Sequence, residues 1–157
     1  NNINTTLHAG EAYGPESIHQ AIHSCGTHRI GHGTRLKENI DLLKYVNDHR
    51  IPMEICLNSN IHTKSISNLK LHPFPEYLNN HLRVTLNTDN RLISNTTLTN
   101  EYQTAIKEYN LNPQDIRTII INGFKSIFLP HQERRILIKN IVDELENEFG
   151  FEERVIV

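Results

Sequence analysis

Short apolar runs alternate with amphipathic stretches over the first part of the chain. A strand ends near Leu7, and Pro15 then opens a helix through Ala21 and Ile22, because proline suits the first helical turn; Gly26 closes it. Arg29-Ile30-Gly31 reads as the next brief strand, and a helix from about Lys37 to Asn47 places Ile40, Leu43 and Val46 at helical spacing. Pro52 separates that helix from the strand Met53-Glu54-Ile55-Cys56. A fourth strand runs from Leu82 to Leu86, with Val84 and Leu86 alternating with polar neighbours before the break at Asn87-Thr88-Asp89-Asn90. The connection between the last two strands, Leu57 to about Pro75, holds Asn58, Ser59, Asn60, His62, Ser65 and Ser67. It is long for a packed domain, and long polar connections at strand ends often carry function.

After Asn90 the alternation stops. Leu98 to Glu108, Pro113 to about Phe124, and a segment after Pro130 running through Leu145 all read as helices. Ile136, Ile138, Ile141, Val142 and Leu145 form an apolar face on the last of these, expected to cover the sheet. Strands separated by helices imply a parallel sheet with right-handed crossovers, hence an α/β fold. No repeat at a solenoid period and no low-complexity linker interrupts residues 1–157, so the expectation is one compact unit.

Composition narrows the partners. The formal charge of -2, with acids and bases interspersed, points away from nucleic acid and from anionic membrane surfaces and towards a small, roughly neutral ligand. No apolar run approaches the ~20 residues that cross a bilayer, and the polar opening Asn1-Asn2-Ile3-Asn4 is unlike a secretory signal, so a soluble, cytoplasmic protein is expected. Cys25 and Cys56 form no CxxC pair and read as structural, reduced thiols. At 157 residues the chain is long enough for one ordinary core, but a closed eight-stranded α/β barrel usually needs about 250.

That comparison matters because of where the chemistry lies. His8 and Glu11 in LHAGE, His32 in RIGHG and Asp89 in VTLNTDN stand at the ends of hydrophobic segments, and parallel α/β barrels assemble their active sites from successive strand ends. Imidazole nitrogen and carboxylate oxygen are zinc ligands, so His8 and Asp89 suit a catalytic metal. Glu11, on the loop leaving the same strand as His8, is placed to supply a proton. His32, between Gly31 and Gly33, can orient or deprotonate an attacking water. His19, His23, His28, His49 and His131 read as surface or hydrogen-bonded residues, and the helical spacing of His19 and His23 as a solvated face.

Leu7-His8-Ala9-Gly10-Glu11, Arg29-Ile30-Gly31-His32-Gly33, Glu54-Ile55-Cys56 with Ser59-Asn60, and Leu86-Asn87-Thr88-Asp89-Asn90 together resemble the C-terminal half of an adenosine deaminase. The similarity continues through His72-Pro73, Thr97-Leu98, Glu101-Tyr102, Asn122, Lys125-Ser126 and Phe128-Leu129-Pro130. The resemblance implies strands five to eight, with their helices, of a zinc-dependent (β/α)₈ barrel that converts adenosine and 2'-deoxyadenosine to the inosine products. It implies that His8 and Asp89 hold zinc, that Glu11 gives a proton to purine N1, that His32 assists the water attacking C6, and that Asn90 contacts purine N7. Two departures stand out. The family's two consecutive acids followed by proline are replaced here by Asp89-Asn90-Arg91, and the HxH zinc pair of its first strand has no counterpart. The absence of strands one to four, and of an initiating methionine, reads as a fragment that is inactive alone. The alternatives are a deaminase of adenine or a modified purine nucleoside, and a truncated, non-catalytic purine-binding or interaction chain. Oligomeric state is not legible.

Overall fold

A computed structural model describes residues 3–150; the opening Asn1-Asn2 lies outside them. Four strands, β1 (Thr6–Ala9), β2 (Arg29–His32), β3 (Met53–Ile55) and β4 (Val84–Leu86), form one parallel sheet in sequential order. Helices α1 (Pro15–His23) and α2 (Ile40–Asp48) connect the first three strands, and α3 (Leu57–His62) and α4 (Phe74–Asn79) connect β3 to β4. The short α5 (Arg91–Ser94) follows β4, and then α6 (Leu98–Tyr109), α7 (Pro113–Lys125) and α8 (His131–Phe149) complete the described chain. The expected parallel α/β sheet is therefore observed.

The core is built by one stripe from each connecting helix. Ile18 and Ala21 of α1, and Leu42, Leu43 and Val46 of α2, bury against Ile30, Met53, Ile55 and Val84 of the sheet. Ile40 does not join them: it is 59% exposed. The helix starts at Ile40 rather than Lys37, because the Asn39 carboxamide accepts the Leu42 N–H at 3.0 Å and caps it there, while Leu36–Glu38 forms a separate 3-10 turn. Leu43 and Val46 stay in the buried stripe, and Leu42 joins them in place of Ile40.

The polar connection after β3 is largely helical. α3 buries Ser59 and Asn60 as well as Leu57, so a helix with a polar inner side lacks the apolar period that would announce it. The final helix also departs from expectation. α8 packs on α7 rather than on the sheet, with Leu145 its buried anchor and Ile136 63% exposed. It is α7 that covers β4: the Asn122 amide donates to the Val84 carbonyl at 3.2 Å, and an Asn112/Asp115 capping box opens the helix. At the other edge β1 stays largely uncovered, with Thr6, Leu7 and His8 exposed.

Candidate active site

The parallel register sets His8 beside Gly31, Gly31 beside Glu54, and Glu54 beside Thr85, so these positions line one face of the sheet. Gly31 leaves room for the His8 imidazole, since a Cβ there would lie 2.7 Å from His8 Cδ2. At the end of β2 the backbone turns sharply: His32 has φ +67° and Gly33 φ +61°, and a side chain on Gly33 would collide with Met53. Asp89, after β4, also has a left-handed φ of +54°. Such conformations are uncommon for residues with a Cβ and are held only where surrounding contacts over-determine them. Here they turn two polar side chains onto the carboxyl end of the sheet.

Three of the residues expected from the sequence meet directly. His32 Nε2 lies 3.3 Å from His8 Nδ1 and 3.5 Å from Glu11 Oε2, and the two imidazole rings stand edge to face. One ligand-type atom from each of His8, Glu11 and His32 falls within 4.8 Å of the others. Asp89 stands outside that trio on the same rim, where the Ser59 hydroxyl donates to its Oδ2 at 2.6 Å. Burial lowers the affinity of His32 for a proton, against the attraction of Glu11. For Asp89 burial acts upwards, but the Ser59 hydroxyl, the Asn90 backbone N–H and the neighbouring imidazoles outweigh it and leave the carboxyl below its ordinary value. Cys56, close by, is an inert thiol pushed far up by burial. Cys25, by contrast, is exposed.

Asn90 is partly committed elsewhere. Its side-chain oxygen accepts the backbone N–H groups of Leu92 and Ile93, both at 3.1 Å, and caps α5. Only its amide NH₂ is left to meet a ligand.

Sequence reasoning passed over the layer beneath. Asn60 donates to Glu11 Oε1 at 3.3 Å and lies 3.1 Å from His32 Nδ1, Thr63 donates to Glu11 Oε1 at 2.9 Å, and His72 Nε2 lies 3.2 Å from Asn60 Oδ1. The available signal was a Ser-Asn pair within one helical turn or so of a strand end, in a segment too polar for a core yet too long for a turn. A cavity of about 690 Å³ lies along the same face of the sheet, lined by Arg29, Glu54 and Thr85 and by Tyr102, Ile119 and Phe124 of the covering helices. It contains none of the four chemistry-bearing residues His8, Glu11, His32 and Asp89.

The sequence pattern of the adenosine deaminase family matches residues 1–144. The chain belongs to the adenosine deaminase family. An adenosine deaminase of Mycobacterium sp. (strain JLS) is 39% identical over 153 residues, covering 90% of this chain and 42% of that protein. Among solved structures, the N6-methyl-AMP deaminase of Arabidopsis thaliana is 31% identical with a TM-score of 0.80 over 94% of this chain and 42% of its own. The adenine deaminase of Arthrobacter aurescens superposes with a TM-score of 0.86 at 23% identity, over 92% of this chain and 44% of its own, and so supports the fold alone. The chain spans about two fifths of the length of these relatives. Its four parallel strands in sequential order are those of half of a parallel α/β barrel.

Proposed function

We propose that residues 1–157 are the C-terminal portion of one catalytic domain, a zinc-dependent barrel that hydrolyses adenosine and 2'-deoxyadenosine to inosine and 2'-deoxyinosine with release of ammonia. The observation that carries this reading is the convergence of His8, Glu11 and His32 at the strand ends, with Asp89 on the same rim. An imidazole nitrogen and a carboxylate oxygen are the donor types zinc takes, so His8 and Asp89 fit the metal; the remaining ligands of a site that usually has three or more belong to the other half of the barrel. When bound, zinc supplies the Lewis acidity that lowers the pKa of a water from ~15.7 towards ~7.

The chain's own residues handle the protons. Glu11 Oε1 accepts from Thr63 and Asn60, so its other oxygen, Oε2, is the atom that carries a proton to purine N1. The water oxygen bonds to C6 and the electron pair moves to N1 as that proton arrives; of the water's two protons one returns to the Glu11 carboxylate and the other passes to N6, so that the C6–N6 bond breaks with N6 leaving as ammonia and C6 left as a carbonyl. His32 orients the water against C6. Asn90, its oxygen held by the α5 cap, offers its NH₂ to the lone pair of purine N7. The substrate is thus a small, neutral nucleoside, and a cytoplasmic setting fits it; among the described residues no helix is long and apolar enough to cross a membrane. In a closed barrel the strands of the other half would pair with the open edge of β1 and fill the cavity beside β4.

The test is an assay of the complete barrel, this chain joined to its N-terminal half, for products from adenosine, adenine and N6-methyl-AMP. Ammonia from adenosine, lost on zinc chelation, is the expected result. Turnover of only adenine or the methylated nucleotide would move the substrate. No turnover of any would leave a purine-binding chain.

A further inference from the structure

The protons on two buried histidines can be placed from a single backbone group. The Phe74 backbone N–H donates to His72 Nδ1 at 3.0 Å, and a main-chain N–H has no acceptor role to swap into. His72 Nδ1 is therefore a lone pair, and the proton of this imidazole sits on Nε2. The Asn60 atom 3.2 Å from that nitrogen must accept, which makes it Oδ1 and settles the orientation of an amide otherwise ambiguous by a flip. The Asn60 NH₂ then points the other way, towards Glu11 Oε1 at 3.3 Å and His32 Nδ1 at 3.1 Å. An NH₂ in that position requires a lone pair on His32 Nδ1. The proton of His32 is left on Nε2, aimed at His8 Nδ1 and Glu11 Oε2.

We propose that His72 and Asn60 are positioning residues that hold His32 as the Nε2–H tautomer, so that His32 acts as a hydrogen-bond donor in the site and is neither a metal ligand nor a proton acceptor. This deepens the deaminase reading and rests on it for the identity of the oxygen that receives the hydrogen bond. It decides between two roles open to the residue, orienting the water or deprotonating it, in favour of the first. It also resolves the trio of His8, Glu11 and His32: their spacing alone would suit a cation, but His32 has no lone pair to give, Nδ1 being taken by Asn60 and Nε2 carrying hydrogen. The relay is buried throughout, with His32 1%, Asn60 0% and His72 4% exposed, so water does not compete for these contacts. Burial also depresses the proton affinity of His72, to a pKa of about 3, which keeps it a single neutral tautomer at working pH.

The experiment uses the complete zinc-loaded barrel, with ¹⁵N-labelled histidine and long-range ¹H–¹⁵N spectra to read each tautomer. The unsubstituted protein is expected to show Nε2–H and an unprotonated Nδ1 for both His32 and His72. Asn60→Asp, which presents an acceptor to His32 Nδ1, is expected to flip His32 to the Nδ1–H form and lower kcat on the order of 10²-fold, with zinc content and KM near the parent. His72→Gln keeps a donor at the Nε2 position and is expected to preserve the His32 tautomer, whereas His72→Leu frees the Asn60 amide and mixes the two forms. An Nδ1–H signal for His32 in the unsubstituted protein, or an unchanged tautomer in Asn60→Asp, would overturn the proposal. A barrel with the expected tautomers but no ammonia release would support it while sinking the deaminase reading.

Discussion

Glu11 and His8 lie three positions apart on one strand end, yet their surroundings assign them different work. Both hydrogen bonds to the Glu11 carboxylate arrive at Oε1, which orients the group and leaves Oε2 facing His32 Nε2 at 3.5 Å. Glu11→Gln keeps the shape and is expected to retain zinc and substrate binding while turnover falls about 10²–10⁴-fold. Steady-state kinetics beside metal analysis checks this, and near-normal turnover would remove Glu11 from the mechanism. Asn90 has two jobs to separate. Asn90→Ala loses the α5 cap and the purine contact together, lowering stability by about 1 kcal/mol and raising KM for adenosine by the loss of a neutral hydrogen bond, about 0.5–1.5 kcal/mol. Asn90→Ser can keep the cap, so it should raise KM with the denaturation midpoint near the parent value. An unchanged KM in both variants would make Asn90 purely a support for α5 and Asp89. These residue types were legible from the sequence because the chemistry needs them by name. Asn60 was named only as part of a polar connection and of a resemblance, and His72 only as part of the resemblance, because a positioning role follows from what a side chain touches and not from its type.

At the scale of elements, the segments that followed a simple period were the readable ones. α1, with proline at its first position and Ile18 and Ala21 inward, and α6 and α7 lie within a residue or two of their expected bounds. α3 was not readable as a regular element, since its inner side is Ser59 and Asn60, held by partners distant in sequence. α8 was expected on the sheet, and a half-buried stripe cannot tell a sheet from another helix as its support. The turn that bears His72 has a consequence for acid stability. Burial holds the folded pKa near 3 against an ordinary value of 6.5. Between those values the unfolded chain binds a proton that the folded chain refuses, so this contribution is fully present above pH ~6.5 and is lost as pH falls, by about 1.4 kcal/mol per unit. Urea denaturation of the complete barrel across pH 4–7 should show that slope, and His72→Gln should flatten it. Equal slopes in the two proteins would mean that the fold opens around His72 before it charges.

For the whole molecule the decisive feature is a sheet that has four strands among the described residues, with β1 and β4 at its edges. β1 presents an unpaired edge with Leu7 37% exposed, and parallel sheets are normally covered on both faces. Two zinc-type ligands in the positions the resemblance assigns, His8 and Asp89, fall short of the usual three. The purified 157-residue chain is therefore expected to hold less than one equivalent of zinc after dialysis and to release no ammonia from adenosine, with activity restored when the N-terminal half is supplied in cis or as a separate fragment. Stoichiometric zinc with steady turnover by the chain alone would overturn the half-barrel reading. The sequence by itself determined the four strands and the longer helices α1, α2, α6, α7 and α8, the parallel sheet they imply, and which side chains stand at the strand ends, because hydrophobic period, proline and glycine act locally. Tertiary structure alone decided which of those side chains meet, that Asn90 spends its oxygen on a helix cap, and that a backbone N–H at Phe74 sets the proton on His32. The Asn90 cap and the Phe74–His72 contact are local, but they bear on the site only through contacts between residues far apart in sequence, such as His8 with His32 and Asn60 with Glu11, where direction and distance settle which atom donates and which accepts.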